Sequence, residues 1–460
     1  MSFSSPLFLF VFLTIVLAAY YICNKKIKNI FLLLASLAFY SWGSPQYVLL
    51  LVLFIFINYG FALLITANKK QIWKKVFLGI VIAIDLGLLV YFKYTGFFIE
   101  NINSIFNTEI ARTSIIWPLG ISFYIFQVIS YVIDVYRGGI EAEKNIINLG
   151  LFVSFFPKIT SGPILRYKDI KIQLNDRTFE FARFFSGIER FMLGFIKKVL
   201  LADQIAMIAD TAFSQANLAA PLAWLGAICY TLQIYFDFSG YTDMAIGIAR
   251  MFGFEIMENF NYPYISKSIQ EFWRRWHISL SLWFRDYLYI PLGGSRKGSF
   301  RTYINIFLVF LLTGLWHGAS WHYIAWGLYY AVFLIFERAW FSAKLKKMPA
   351  VISHLYALFV IVIGWIFFRA NGLFAAFSYV GNLFKFPAGS VTQLVSNISI
   401  ENIVFIVFGV IFSMPLIRLL KEKQNKASTV FYYVVLLILF VVAITYMSGN
   451  GFSPFLYEQF

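Results

Sequence analysis

Charge is the scarcest ingredient of this sequence. Only 13% of its 460 residues are Asp, Glu, Lys or Arg, against roughly 25% in soluble domains. A soluble enzyme is excluded, because there is too little charge to cover its surface. Cysteine is nearly absent as well. Cys23 and Cys229 each sit inside an apolar run, so neither a disulfide framework nor a thiolate metal centre is available. Both are simplest as small buried hydrophobes. The chain contains no phosphate-cradling glycine loop, no Ser-His-Asp nucleophile pattern and no cysteine nucleophile. The first apolar run, Pro6 to Cys23, lacks a basic leading segment and a small-residue cleavage site. It is read as a retained span and not as a signal peptide.

What remains is hydrophobic, at 60% of residues. Apolar runs fall at about 6–23, 30–44, 46–67, 76–93, 114–136, 184–205, 218–249, 302–318, 321–340, 350–369, 400–420 and 428–447. By length they predict about 12 crossings, in a single domain over 1–460 with its core at about 114–340 and an aromatic tail at 449–460. The net charge of +16 would point to nucleic acid in a soluble protein. Here the basic residues cluster in loops between the runs, at Lys25–Lys28, Lys69–Lys75, Arg137–Lys144, Arg250–Arg301, Lys344–Lys347 and Arg418–Lys426. These loops share one side if the runs alternate. That is the positive-inside pattern, so the side is cytoplasmic and both termini face outward. No nucleic-acid partner is expected; the bilayer is the partner. The orientation depends on 184–205 crossing fully, despite Arg190, Lys197 and Lys198.

Two stretches do not read as plain spans. In 146–183 an apolar segment is broken by Pro157, Gly162 and Pro163. Such backbone at membrane depth must be buried in protein or line a cavity. The stretch 261–301 mixes aromatic and basic residues, which predicts helices at the cytoplasmic interface or dipping into the protein. Intramembrane carboxylates also need partners. Asp134 and Asp237 either neutralise arginines such as Arg166, Arg274 and Arg275 or transfer protons, and neutralisation is the simpler role. Asp237 and Asp243 lie about 600° apart on an ideal helix, unless Ser239-Gly240 breaks it.

Three of the four histidines, His277, His317 and His322, lie between 271 and 330. His317 and His322 would stand about 140° apart on one helix, so they do not converge on a metal, and none is expected. His322 is simplest as a satisfied core residue. His354 opens a span and is expected at the interface. His317 differs: Gly314 and Gly318 permit close backbone approach, and Trp316 suits a pocket wall. A neutral imidazole there can take a proton from a hydroxyl attacking a carbonyl.

The residues now point to a family. The segments Gly120–Gln127, Tyr131–Arg137, Phe156–Tyr167, Tyr235–Asp243, Phe272-Trp-Arg-Arg-Trp-His277-Ile-Ser-Leu-Ser, Arg285–Gly294 and Gly314-Leu-Trp-His317-Gly-Ala resemble the membrane-bound O-acyltransferase (MBOAT) family. The likeness is to its bacterial AlgI/PatA-like branch, which acetylates cell-surface polysaccharides, and more distantly to the DltB proteins of D-alanine transfer. The resemblance implies an all-α polytopic membrane fold, a ring of about 11–13 transmembrane helices with re-entrant and interfacial helices around a tunnel. It implies that His317 is the catalytic base and that His277 lines the same tunnel. Tunnel or substrate-lining candidates are Trp316, Trp273, Arg274, Arg275, Trp276, Asp286, Asp237 and Arg166. The tail Ser453-Pro-Phe-Leu-Tyr457 resembles a motif whose tyrosine is a temporary acyl carrier; the plainer alternative is an aromatic anchor at the interface.

The resemblance further implies an acetyl donor, acetyl-CoA or an acyl-carrier thioester, used as a substrate with no permanently bound cofactor. The acceptor would be a cell-surface polysaccharide of alginate, peptidoglycan or secondary-polymer type. An extracytoplasmic SGNH-type partner would complete delivery, and the location would be the bacterial cytoplasmic membrane. Two alternatives stay open: D-alanyl transfer from a carrier protein docked on the basic 274–301 surface, and a channel or flippase without chemistry.

Overall fold

In hydrocarbon a segment must satisfy its own backbone hydrogen bonds, and a helix does so without an edge. The structure, a computed structural model describing residues 1–111, 115–215, 217–416, 425–450 and 455–456, is accordingly helical, with no strand among the described residues. It forms two compact units, Met1–Phe191 with Met244–Met257, and Met192–Asp243 with Glu258–Phe460. Two of the three divisions fall inside continuous helices, Phe181–Ile196 and Ala220–Met251, and the third falls between Met257 and Glu258, outside any helix.

The first unit holds α1 (Leu7–Ile22), α2 (Lys28–Gly43), α3 (Pro45–Ala67), α4 (Gln71–Phe106), α5 (Ile121–Tyr136), α6 (Ile146–Ser154), α7 (Tyr167–Asn175) and the start of α8 (Phe181–Ile196). The apolar run at 76–93 marks only the middle of α4, whose 36 residues extend ~54 Å. Asp85 on α4 is buried and accepts a 3.0 Å hydrogen bond from Asn58 on α3. Between α6 and α7 the backbone is irregular, and Phe155 to Leu165 are buried throughout. Of the two settings that such backbone tolerates, this segment has the protein interior. Its Lys158 is fully buried and donates to Gln127 on α5.

The second unit begins with the end of α8, which passes through a π turn, Lys197–Ala202, into α9 (Asp203–Ser214). It continues with α10 (Ala220–Met251), the short α11 (Ile269–Arg275) and α12 (Ile278–Phe284), α13 (Ser299–His317) and α14 (Trp321–Leu345). Then follow α15 (Ala350–Arg369), α16 (Leu373–Asn382), α17 (Ser390–Ser396), α18 (Ile400–Phe412) and α19 (Lys426–Asn450).

Among the described residues, six helices are long and apolar enough to cross a membrane: α3, α4, α13, α14, α15 and α19. The other runs fall short for separate reasons. α1 and α5 are apolar but short. The run read as one span at 400–420 is preceded by α17, which meets α18 at a 90° bend. α10 has 32 residues but is not among the apolar spans. From Gln233 to Ala249 every residue of α10 is buried, so it has no lipid-facing surface there to keep apolar.

Ser239-Gly240 does not break α10. Instead, a Cβ at Gly240 would stand 2.8 Å from the Gly194 carbonyl oxygen and 3.2 Å from the Lys198 nitrogen. Glycine lets the α8 and α10 backbones touch. From that contact the adjacent Lys197 and Lys198 diverge along α10, Lys197 to Asp243 at 2.6 Å and Lys198 to Asp237 at 2.7 Å. The arginines expected to neutralise Asp237 are therefore replaced by a lysine.

Candidate active site

The α13–α14 hairpin places His317. A Cβ on Gly314 would lie 2.4 Å from the Tyr323 carbonyl oxygen on α14, so no larger residue permits this crossing. α13 ends at His317, and α14 starts four residues later. The imidazole is only 2% exposed. Its ring centroid lies 5.0 Å from Trp316, 4.9 Å from Trp326 and 5.2 Å from Phe368 on α15.

His277 is placed by a different device. The Ser268 hydroxyl caps α11 by accepting from the Glu271 N–H. The buried Glu337 carboxylate in α14 accepts from Ile269 and Gln270 at 2.6 and 3.0 Å. This puts negative charge at the helix N-terminus, where the exposed N–H groups favour it. After Trp276 the chain turns through His277 at φ 44°, a conformation uncommon for a side chain of this size. Asn259 holds the turn. Its carbonyl accepts from Ile278 N–H at 3.0 Å, and its side-chain oxygen accepts from the Ser279 N–H and hydroxyl at 3.1 and 2.9 Å. His277 is fully buried, and that burial lowers its pKa to about 3. It is therefore neutral at physiological pH.

The two histidines meet at one ring. Trp316 lies 6.0 Å from His277 and 5.0 Å from His317, centroid to centroid. On the far side His277 packs edge-on against Phe238 of α10 at 4.8 Å. Trp273 joins this cluster through Trp326 at 5.7 Å, and Trp276 through Phe260 at 4.9 Å and Trp365 at 4.7 Å. Two imidazoles in aromatic surroundings that displace water suit proton transfer from a hydroxyl.

Other residues singled out from the sequence have partners of their own or are exposed. Arg274 is exposed. Arg275 pairs with Glu271 at 2.9 Å, and Asp286 with Arg285 at 2.7 Å. Arg166 belongs to the first unit and pairs with Asp169 at 2.9 Å, while Asp134 there lies 3.8 Å from Lys168. His322 is half-buried and hydrogen-bonds Ser320, two residues before it, at 2.7 Å. His354 bonds the Ser266 carbonyl oxygen at 3.1 Å. Tyr457 lies outside the described residues. Asn259, Glu337, Trp326 and Phe368 were not singled out. Only Glu337 carried a readable signal, a carboxylate inside an apolar run.

Residues 140–379 match the MBOAT, membrane-bound O-acyltransferase, family. The probable alginate O-acetylase AlgI of Pseudomonas putida is 41% identical, with 100% of both chains covered. The peptidoglycan O-acetyltransferase of Helicobacter pylori is 37% identical over 81% of this chain and 78% of its own. The teichoic acid D-alanyltransferase of Bacillus subtilis is 34% identical over 50% of this chain and 62% of its own. With its helical fold, its apolar spans and its buried histidine pair, the chain belongs to the membrane-bound O-acyltransferase family.

Proposed function

We propose that this acyltransferase carries acetyl groups from a cytoplasmic thioester, acetyl-CoA, across the cytoplasmic membrane for O-acetylation of an extracytoplasmic cell-surface polysaccharide. The observation that carries the proposal is the buried pair His277 and His317 sharing Trp316. His317 is the base. It takes the proton of the acceptor hydroxyl as the oxygen attacks the thioester carbonyl; the C–O bond forms, the C–S bond breaks, and the proton passes to the departing thiolate. His277, neutral at physiological pH, lines the path and orients donor or acceptor. Tyr457 is the first acceptor. An SGNH-type partner outside the membrane then moves the acetyl to the polymer, which agrees with basic loops on the cytoplasmic side and outward termini.

Acetyl is favoured over D-alanyl by coverage. The two relatives named for acetylation align over 100% and 81% of this chain, and the one named for D-alanyl transfer over 50%. The test is His317→Ala, with membrane abundance checked, in cells whose surface polymer acetylation is measured. Loss of acetylation is expected, and normal acetylation would sink the proposal. Purified protein that releases free CoA from acetyl-CoA when acceptor is supplied excludes a channel without chemistry.

A further inference from the structure

We propose that Asp237 is the anchor of the C-terminal segment and so a positioning residue for transfer. The geometry lies within the second unit. One oxygen of the Asp237 carboxylate accepts from the Lys198 ammonium at 2.7 Å. The other accepts from the backbone N–H of Leu456 at 2.9 Å. Phe455, just before, is fully buried, packs edge-on against Tyr241 at 5.0 Å and lies under the Lys198 ammonium, 4.8 Å from its ring centroid. Asp237 is 2% exposed. A buried carboxylate holding one strand of backbone by a charge-assisted bond is a strong, directional attachment.

Position gives this attachment a purpose. Asp237 is followed on α10 by Phe238, whose ring packs on His277 at 4.8 Å. The segment is thus fastened within one residue of the wall that supports the histidine pair, and the next residue in the chain is Tyr457. An aromatic anchor at a membrane interface would need neither a buried carboxylate nor a buried ring. The anchor's consequence for catalysis rests on Tyr457 as acyl carrier; the anchoring itself does not.

Lys198 keeps a second partner, Asp203 at 2.8 Å, so replacing Asp237 does not strand a buried cation. Asn at 237 is the graded variant. Both neighbours, Lys198 and the Leu456 N–H, are donors, and the amide offers one accepting oxygen where the carboxylate offers two. It keeps the shape and must give up one bond.

The experiment uses the full chain in lipid nanodiscs, with both cysteines replaced by alanine and a nitroxide on Leu456→Cys. The label is expected to be immobilised in the parent and in Tyr457→Phe, mobile in Asp237→Ala, and intermediate in Asp237→Asn, whose one amide oxygen is shared between two donors. In unlabelled chains with acetyl-CoA as probe, Tyr457 acetylation should slow roughly tenfold, the scale of one hydrogen bond to a charged group, with KM for acetyl-CoA unchanged. A label that stays immobilised in a folded Asp237→Ala chain overturns the anchor. An unchanged acetylation rate despite a mobile label overturns the positioning role. A parent chain that never acetylates Tyr457, yet releases its label in Asp237→Ala, overturns the carrier and leaves the anchor standing.

Discussion

Trp316 is in ring contact with both His277 and His317. Its indole fixes the spacing of two imidazoles that come from segments 40 positions apart in the chain. Trp316→Leu should lower transfer by roughly 100-fold, the cost of misplacing catalytic groups by about an ångström. Trp316→Phe, which keeps a flat ring, should retain much more. Steady-state rates on protein of matched abundance and thermal stability decide it; equal rates for Leu and the parent would deny Trp316 a spacing role.

The α13–α14 crossing has no room at Gly314. Gly314→Val must separate the two backbones and lift His317 from Trp326. It should cost about 1–3 kcal/mol in stability, the usual price of overpacking. Activity should fall further than stability, because the displaced group is the proposed base. Thermal unfolding and turnover measured together test this.

Glu337 supports His277 from a distance, by accepting two N–H groups of α11. Glu337→Ala leaves those donors buried without an acceptor and should cost about 1–3 kcal/mol. Glu337→Gln retains one acceptor and should cost less. Unfolding in detergent ranks the two; equal losses would indicate that packing, and not hydrogen bonding, is what Glu337 supplies.

Acid should weaken the fold through His277. Burial lowers its pKa from 6.5 to about 3. Between those values the unfolded chain binds a proton that the folded chain refuses, so stability falls as pH falls. The contribution is complete above about pH 6.5 and lost as pH approaches 3. Thermal midpoints should drop between pH 7 and pH 4, and drop less in His277→Gln. An activity transition near pH 6.5 would belong to another group.

Fold class and the histidine pair were legible in the sequence because they rest on hydropathy and on rare residues. The irregular backbone within 146–183 was legible too, since Pro157 and Pro163 interrupt a helix and Gly162 weakens one. Partner choice was not. Asp237 could have met any of several cations, and Lys198 is selected by the π turn at Lys197–Ala202, which resets the faces of α8 in a way that no 3.6-residue periodicity announces. The partners of Arg275 and Asp286, Glu271 and Arg285, were not legible either, because hydropathy does not say which charges will pair. Arg274 points outward from a helix whose opposite face carries Phe272 and Trp276 to the interior. The run at 218–249 read as a span by length, yet its polarity marks α10 as a helix surrounded by protein.

The fan of Lys197 and Lys198 onto α10 bears on how the chain is made. α10 carries Asp237 and Asp243 and is too polar to be among the spans that qualify on apolarity. Its carboxylates emerge from the ribosome after the two lysines that neutralise them. Synthesis order thus supplies the cations first, and α10 enters as half of an electrically balanced pair with α8. Insertion of this buried helix is then a cooperative event between neighbours, and substitution of either lysine would be felt first as failed biogenesis.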